Sequence, residues 1–272
     1  MKFEKVKVYN FEGALRGMRN PMNSWDKSDS WFGVVNEWYD TFLDEVAAAW
    51  VDNQYPGWVE QDPQPKGAEL LYQRTCEWLQ EEGTLEEGND DNILAAYIGP
   101  KDMELAQRLI RAGSEHRKFM RQIFVTVDIT APLYWWKEMD TYKVATVSNS
   151  TSTMHKLAST PITLDCFEID DYNTAFAVPD HDDPMISPKE IIGYCESLRK
   201  LYLKTNDKRY WKELVRWLPN SWLQTRTWTA NYETLYAIIH QRRNHKLTEW
   251  SKSFIDFAYS LPYAKELLFL DD

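Results

Sequence analysis

Cysteine is scarce and scattered in this chain. Cys76, Cys166 and Cys195 are the only three, far apart and odd in number. With no close pair, neither a zinc site nor a disulfide framework is expected. Glycine is sparse too, 10 in 272 residues, and no glycine-rich phosphate loop occurs. There is no internal repeat and no series of strand–helix–strand units, which argues against a doubly wound sheet. A run of about 18 apolar residues is missing, and MKFEKVKVYN carries no apolar targeting stretch. A soluble, cytoplasmic protein that does not enter a membrane is the expectation. Positive charge is the minority sign, 31 Lys and Arg against 42 Asp and Glu, a formal net charge of −11. A field of that sign repels a nucleic-acid polymer, whereas a single mononucleotide needs only a few local cations. The acidic stretch holding Glu168, Asp170, Asp171, Asp180, Asp182 and Asp183 lacks the regular oxygen spacing and glycine turn of a calcium loop, so no metal site is expected.

What the chain does have is aromatic mass: 13 Trp, 15 Tyr and 11 Phe. Such residues suit a core, a subunit interface or a flat heterocyclic ligand. At 43% apolar, the chain can build one large core or two modest ones. Its organising stretch is Phe119 to His155. Ile123, Val125, Val127 and Ile129 alternate with Thr126, Asp128 and Thr130, the period of a half-buried strand. Ala131-Pro132 ends it, because proline has no amide proton for a ladder. Leu133 to Val144 is an aromatic-rich helix candidate. From Thr146 to Thr153 six of eight residues are Ser or Thr, which can compete for backbone groups or hold an anionic ligand.

Elsewhere, Phe3 to Tyr9 alternates as a first strand, and Ala14 to Ser30 reads as loop around Asn20-Pro21. Trp31 to Val51 shows helical spacing through Val35, Trp38, Phe42, Val46 and Trp50. A second helix is expected over 68–80, and a third begins near Asp102 and ends at Gly113. The polar link to the central strand carries His116, Arg117, Lys118 and Arg121. Residues 157–184 read as irregular. Ser187-Pro188 with Glu190 opens a helix as a capping box. Residues 206–217 continue as helix, 221–229 alternate as a strand or lead-in, and helices follow over 231–243, from Leu247, and after Pro262. The fold class is α+β, mainly helical, with a central antiparallel or mixed sheet in a single domain over 1–272 that has an enlarged helical N-terminal part, about 31–98. A second cationic and amide-rich cluster gathers Asn231, Arg242, Arg243, His245 and Lys246.

The order of features from about Met103 to Leu268 resembles the flavin-dependent thymidylate synthases. Gly113 and Phe119 fit that family's glycine loop, Pro132-Leu133-Tyr134 its helix start, and Thr141-Tyr142-Lys143 the position of its Arg-His-Arg triplet. The spacing to Thr151 and Thr153, where the family has serine and arginine, is kept. Leu218-Pro219, Thr227-Trp228-Thr229, Asn231, Arg242 and Glu249 follow in order. Ser148-Asn149 stands for an Asn-Glu pair, Arg121 for a histidine and Glu233 for an arginine, while Arg242 is retained.

The resemblance implies reductive methylation of dUMP or a related pyrimidine deoxynucleotide, with FAD as cofactor and reduced nicotinamide and methylenetetrahydrofolate as co-substrates. It implies catalytic roles for Arg242, Lys143 and Tyr142, and cofactor contacts from Arg121, Thr141, Lys143, Ser148, Asn149 and Asn231. Substrate contacts would come from Thr151, Thr153 and Arg242, in a homo-oligomer, a tetramer. The alternative is a catalytically inactive or repurposed nucleotide-binding or structural protein that retains the fold.

Overall fold

The computed structural model describes residues 1–35, 93–169 and 188–270. Among the described residues the strands are β1 Lys2–Tyr9, β2 Trp31–Val35, β3 Ile93–Tyr97, β4 Phe124–Pro132, β5 Val147–Ser150 and β6 Leu223–Asn231. The α-helices are α1 Phe11–Arg19, α2 Pro100–Arg111, α3 Leu133–Met139, α4 Thr153–Ser159, α5 Pro188–Thr205, α6 Lys208–Trp217, α7 Tyr232–Arg242, α8 Ile255–Ser260 and α9 Ala264–Leu267. A π-helical turn, Glu249–Phe254, leads into α8. The architecture is therefore α+β and mainly helical, as expected. Among the described residues no helix is long and apolar enough to cross a membrane.

Four strands form one sheet in the order β1-β4-β6-β5, and β2 pairs with β3 in an antiparallel two-stranded sheet. Hydroxyl bonds fix the register of β4 against β6. Thr126 meets Thr229 at 3.0 Å, Asp128 accepts from Thr227, and Thr130 meets Thr225 at 2.7 Å. Numbers that rise on one strand fall on the other, so the pair is antiparallel. The alternation expected for 123–130 is realised: Val125, Val127 and Ile129 are fully buried.

The chain forms two compact units. The first contains residues 1–3, 128–143 and 148–228. Its core joins Leu157, Ile162, Phe167, Ile192, Cys195, Leu198, Leu214 and Trp222, covered by the α5–α6 pair. Glu196 and Arg199 clasp each other twice at 2.7 Å, and the same carboxylate accepts from the Ile162 amide. The second contains residues 4–127, 144–147 and 229–272. There Tyr232, wholly buried, donates to Pro262 O at 2.6 Å and meets Phe11 edge-on at 5.7 Å.

Several expectations are corrected. Residues 31–35 are a strand, not the start of a helix. The sequence WFGVV consists largely of types that favour extended backbone, and it finds a distant partner in 93–97. The remainder of that expected helix, the helix over 68–80 and the Ser187 cap lie outside the described residues. Phe11–Arg19 is helix rather than strand exit and loop; its first turn forms although Asn10 makes no side-chain cap bond. Helix α2 begins at Pro100, and Asp102 lies in its first turn without capping it. Asp29 caps it from across the sequence, accepting from the amides of Lys101 and Asp102 at 2.8 and 3.0 Å. Helix α3 stops at Met139 instead of reaching Val144. The hydroxyl-rich run divides into β5 and the start of α4, where Ser152 accepts from the His155 amide.

Candidate functional site

In the first unit the site residues follow from how α3 begins and ends. Pro132, at φ −70 and ψ 154, releases the chain from β4 into α3, and the Leu133 and Tyr134 amides donate to Trp222 O and Asn220 O. Trp135 and Trp136 are buried and anchor this helix. At its C-terminus the Thr141 hydroxyl donates to Glu138 O at 2.7 Å. That hydroxyl closes its own helix. Tyr142 is half-buried and Lys143 exposed. Ser148 and Asn149 lie exposed on β5, at one edge of the sheet order. Thr151 is fixed to β6, its amide and hydroxyl both donating to Thr225 O, at 2.9 and 3.1 Å.

Two residues absent from the sequence reading organise this region. The Gln224 amide donates to Thr151 O at 3.0 Å and to Thr153 Oγ1 at 3.1 Å. Arg226 donates through Nε to Gln224 Oε1 at 2.9 Å and through Nη1 to Asp140 Oδ1 at 2.7 Å. Its guanidinium lies 4.3 Å from the centre of the Trp136 ring, whose Nε1 donates to Gln224 O. Gln224, Arg226 and Trp228 alternate on one side of β6. A cation at an inward position of a strand was the available signal.

In the second unit lie Arg121, Asn231 and Arg242. Asn231 is buried, and its side chain accepts from the Thr234 amide at 2.9 Å as the cap of α7. Glu233 in the next turn receives Arg117 Nε at 3.2 Å and Arg121 Nε at 2.9 Å. The hydrogen bond to Glu233 holds the Arg121 guanidinium above its ordinary range. Two cations against one carboxylate leave a single net positive charge. Arg117 also stacks 4.3 Å from the Tyr236 ring, which lies 4.0 Å from His240, so Glu233, Tyr236 and His240 share one face of α7. Arg242, half-buried, stacks 4.9 Å from Trp250, the ring that His245 approaches at 6.4 Å.

A flavin offers a diphosphate, which needs hydrogen-bond donors, and a flat ring, which needs an apolar or aromatic face. In the first unit Lys143, Ser148 and Asn149 are exposed polar groups that fit the diphosphate, and Tyr142 suits the ring. The Thr141 hydroxyl proton and Asn231 Oδ1 are engaged at helix ends.

Neither a family model nor a curated protein matches the chain. Among solved structures it is similar to the flavin-dependent thymidylate synthase ThyX from Helicobacter pylori in complex with FAD and dUMP. The identity is 17% and the TM-score 0.45, over 73% of this chain and 92% of that one. A second structure of ThyX from Helicobacter pylori with FAD and dUMP gives 18% identity and a TM-score of 0.46, over 74% and 93%.

Proposed function

We propose that the chain is a thymidylate synthase-like protein that binds dUMP or a related pyrimidine deoxynucleotide. One observation carries the reading. The C-terminal flank of segment 140–153 is fastened to β6, Thr151 with Thr153 by Gln224, and Thr151 again by its amide and hydroxyl to Thr225 O. That segment holds the residues to which the family resemblance gives site roles, and it presents Lys143, Ser148 and Asn149 to solvent. Such fastening holds polar groups in place before a ligand arrives, which lowers the entropy lost on binding.

When bound and reduced, a flavin supplies the hydride for reductive methylation, with the one-carbon unit from methylenetetrahydrofolate and the electrons from reduced nicotinamide. Lys143, Ser148 and Asn149 would hold its diphosphate, and Tyr142 would stack on a ring. Thr151 and Thr153 keep hydroxyl oxygens able to accept from a nucleotide. The resemblance assigns Arg242 to the nucleotide, and its guanidinium lies 4.9 Å from the Trp250 ring. The same reading implies a homotetramer working in the cytoplasm.

A specific observation favours a second reading, a nucleotide-binding protein that keeps the fold without the chemistry. Arg117 and Arg121 are closed on Glu233, and the Thr141 hydroxyl on its own helix, so groups able to polarise a pyrimidine are tied to the protein. Thermal unfolding with excess dUMP and with excess FAD tests both. The enzyme reading predicts that each ligand raises the midpoint, and the second that dUMP alone does so. A midpoint unmoved by either ligand would overturn both.

A further inference from the structure

We propose that Arg226 is the centre of an anion-binding subsite that Asp140 occupies from within the protein, and that a phosphate monoester displaces it. The choice of a nucleotide phosphate as ligand rests on the reading above; the anion subsite does not.

The guanidinium is pre-positioned. Trp136 supports its flat face at 4.3 Å, Gln224 fixes Nε at 2.9 Å, and the side chain is only 14% exposed. Gln224 is itself pinned by Thr151 and Thr153, so the whole fork is held without any ligand. Of five N–H groups, Nε uses one and Nη1 one; Nη2 has no hydrogen-bond partner among the described residues. An oriented guanidinium with an unfilled edge suits a phosphate, which accepts two parallel N–H bonds.

The carboxylate on that edge is poorly held. Asp140 is 55% exposed, so its pairing with Arg226 is of the solvent-screened kind that contributes little. It also sits at the C-terminal end of α3, where the helix dipole disfavours a negative charge. Released into water it regains hydration, while Arg226, largely enclosed, cannot. Displacement therefore changes one local ion pair into another, and a phosphate brings more charge and a better-matched fork than one carboxylate oxygen.

The test measures affinity by calorimetry for inorganic phosphate, dUMP and deoxyuridine. Asp140→Asn removes the internal competitor at an exposed position, and phosphate and dUMP should bind about two- to fivefold tighter, the range an exposed ion pair is worth, with deoxyuridine unchanged. Arg226→Ala should weaken dUMP by about tenfold or more, toward the affinity of deoxyuridine, and Arg226→Lys should restore part of the loss. If Arg226→Ala uncovers Trp136 and unfolds the protein, Asp140→Asn still decides. Phosphate affinity unchanged or weakened in Asp140→Asn overturns the proposal, even where dUMP binds the wild type and the nucleotide reading stands. Phosphate that tightens in Asp140→Asn but is not displaced by dUMP upholds the subsite and removes the nucleotide reading. Wild type that binds neither phosphate nor dUMP overturns both.

Discussion

Replacing Asp102 by alanine should destabilise the protein by about 3–5 kcal/mol, the range for removing one partner of a buried ion pair. Asp102 is wholly enclosed, and Arg19, its partner, is 6% exposed. The carboxylate accepts from Arg19 Nε and from the hydroxyls of Ser28 and Ser30. Without it a buried guanidinium loses its counter-charge, and two hydroxyls lose their acceptor. Ser30 in turn accepts from the Gly99 amide, so the loss reaches the start of α2. For a chain of this size each kcal/mol lowers Tm by about 2–4 °C, so the expected fall is on the order of 10 °C. Urea unfolding followed by circular dichroism, with Tm as a second reading, measures it. Asp102→Asn keeps an acceptor without the charge and should fall between. The double variant Arg19→Met with Asp102→Leu should recover much of the loss, because neither charge of the pair is then left buried without its partner. A loss below about 1 kcal/mol for Asp102→Ala would refute the reasoning, since it would mean that water reaches Arg19.

Three further outcomes follow from the same kind of argument. The hydrogen bond from Arg199 lowers the Glu196 carboxyl to about 2, so its stabilisation is fully present above the unfolded-state range near pH 4.5 and is lost as pH falls toward 2. With solvent screening this amounts to about 1–2 kcal/mol, and Glu196→Gln should flatten that part of the urea-midpoint profile between pH 5 and 2. Gly99→Ala would drive a methyl group into the backbone and carboxylate of Asp29, so a loss of about 1–3 kcal/mol is expected; an unchanged Tm would contradict the close packing there. Arg242→Ala should weaken dUMP binding by about tenfold, and unchanged calorimetric affinity would remove that residue from the site.

The parts of the fold legible in the sequence were those with local periodicity. Strands β4 and β6 show a period of two, and their alternating residues form the facing pairs Thr126–Thr229 and Thr130–Thr225. Helices α5, α6 and α7 fall where helix is expected, from Pro188 onward, over 206–217 and over 231–243. Long-range pairing was illegible. The spacing from Val35 onward suggested a helix, yet 31–35 pair with 93–97, a contact that local periodicity does not record. Helix α1 lies in a stretch that Asn20-Pro21 marks as loop, and it contains Gly13 and Gly17. In the fold both lie at close approaches, where an added methyl group would meet Asn10 and Gln122.

The same division holds for the candidate site. Arg117 and Arg121 stood out as a positive patch, but Glu233, which absorbs them, lies 116 and 112 residues away. Thr141 looked like a ligand hydroxyl, and only the end of α3 at Met139 reveals that it closes that helix. The alternation in SWLQTRTWT puts Arg226 on the side of Gln224 and Trp228, but the Trp136 ring it meets comes from a helix distant in sequence.

The most direct test of the central claim is an absorption spectrum of the purified protein before and after soaking with FAD and removal of the free cofactor. A thymidylate synthase-like protein whose Lys143, Ser148 and Asn149 hold the cofactor predicts retained flavin bands that dUMP perturbs, and that Lys143→Ala diminishes. A spectrum free of flavin bands after soaking, and unchanged by dUMP, would contradict it.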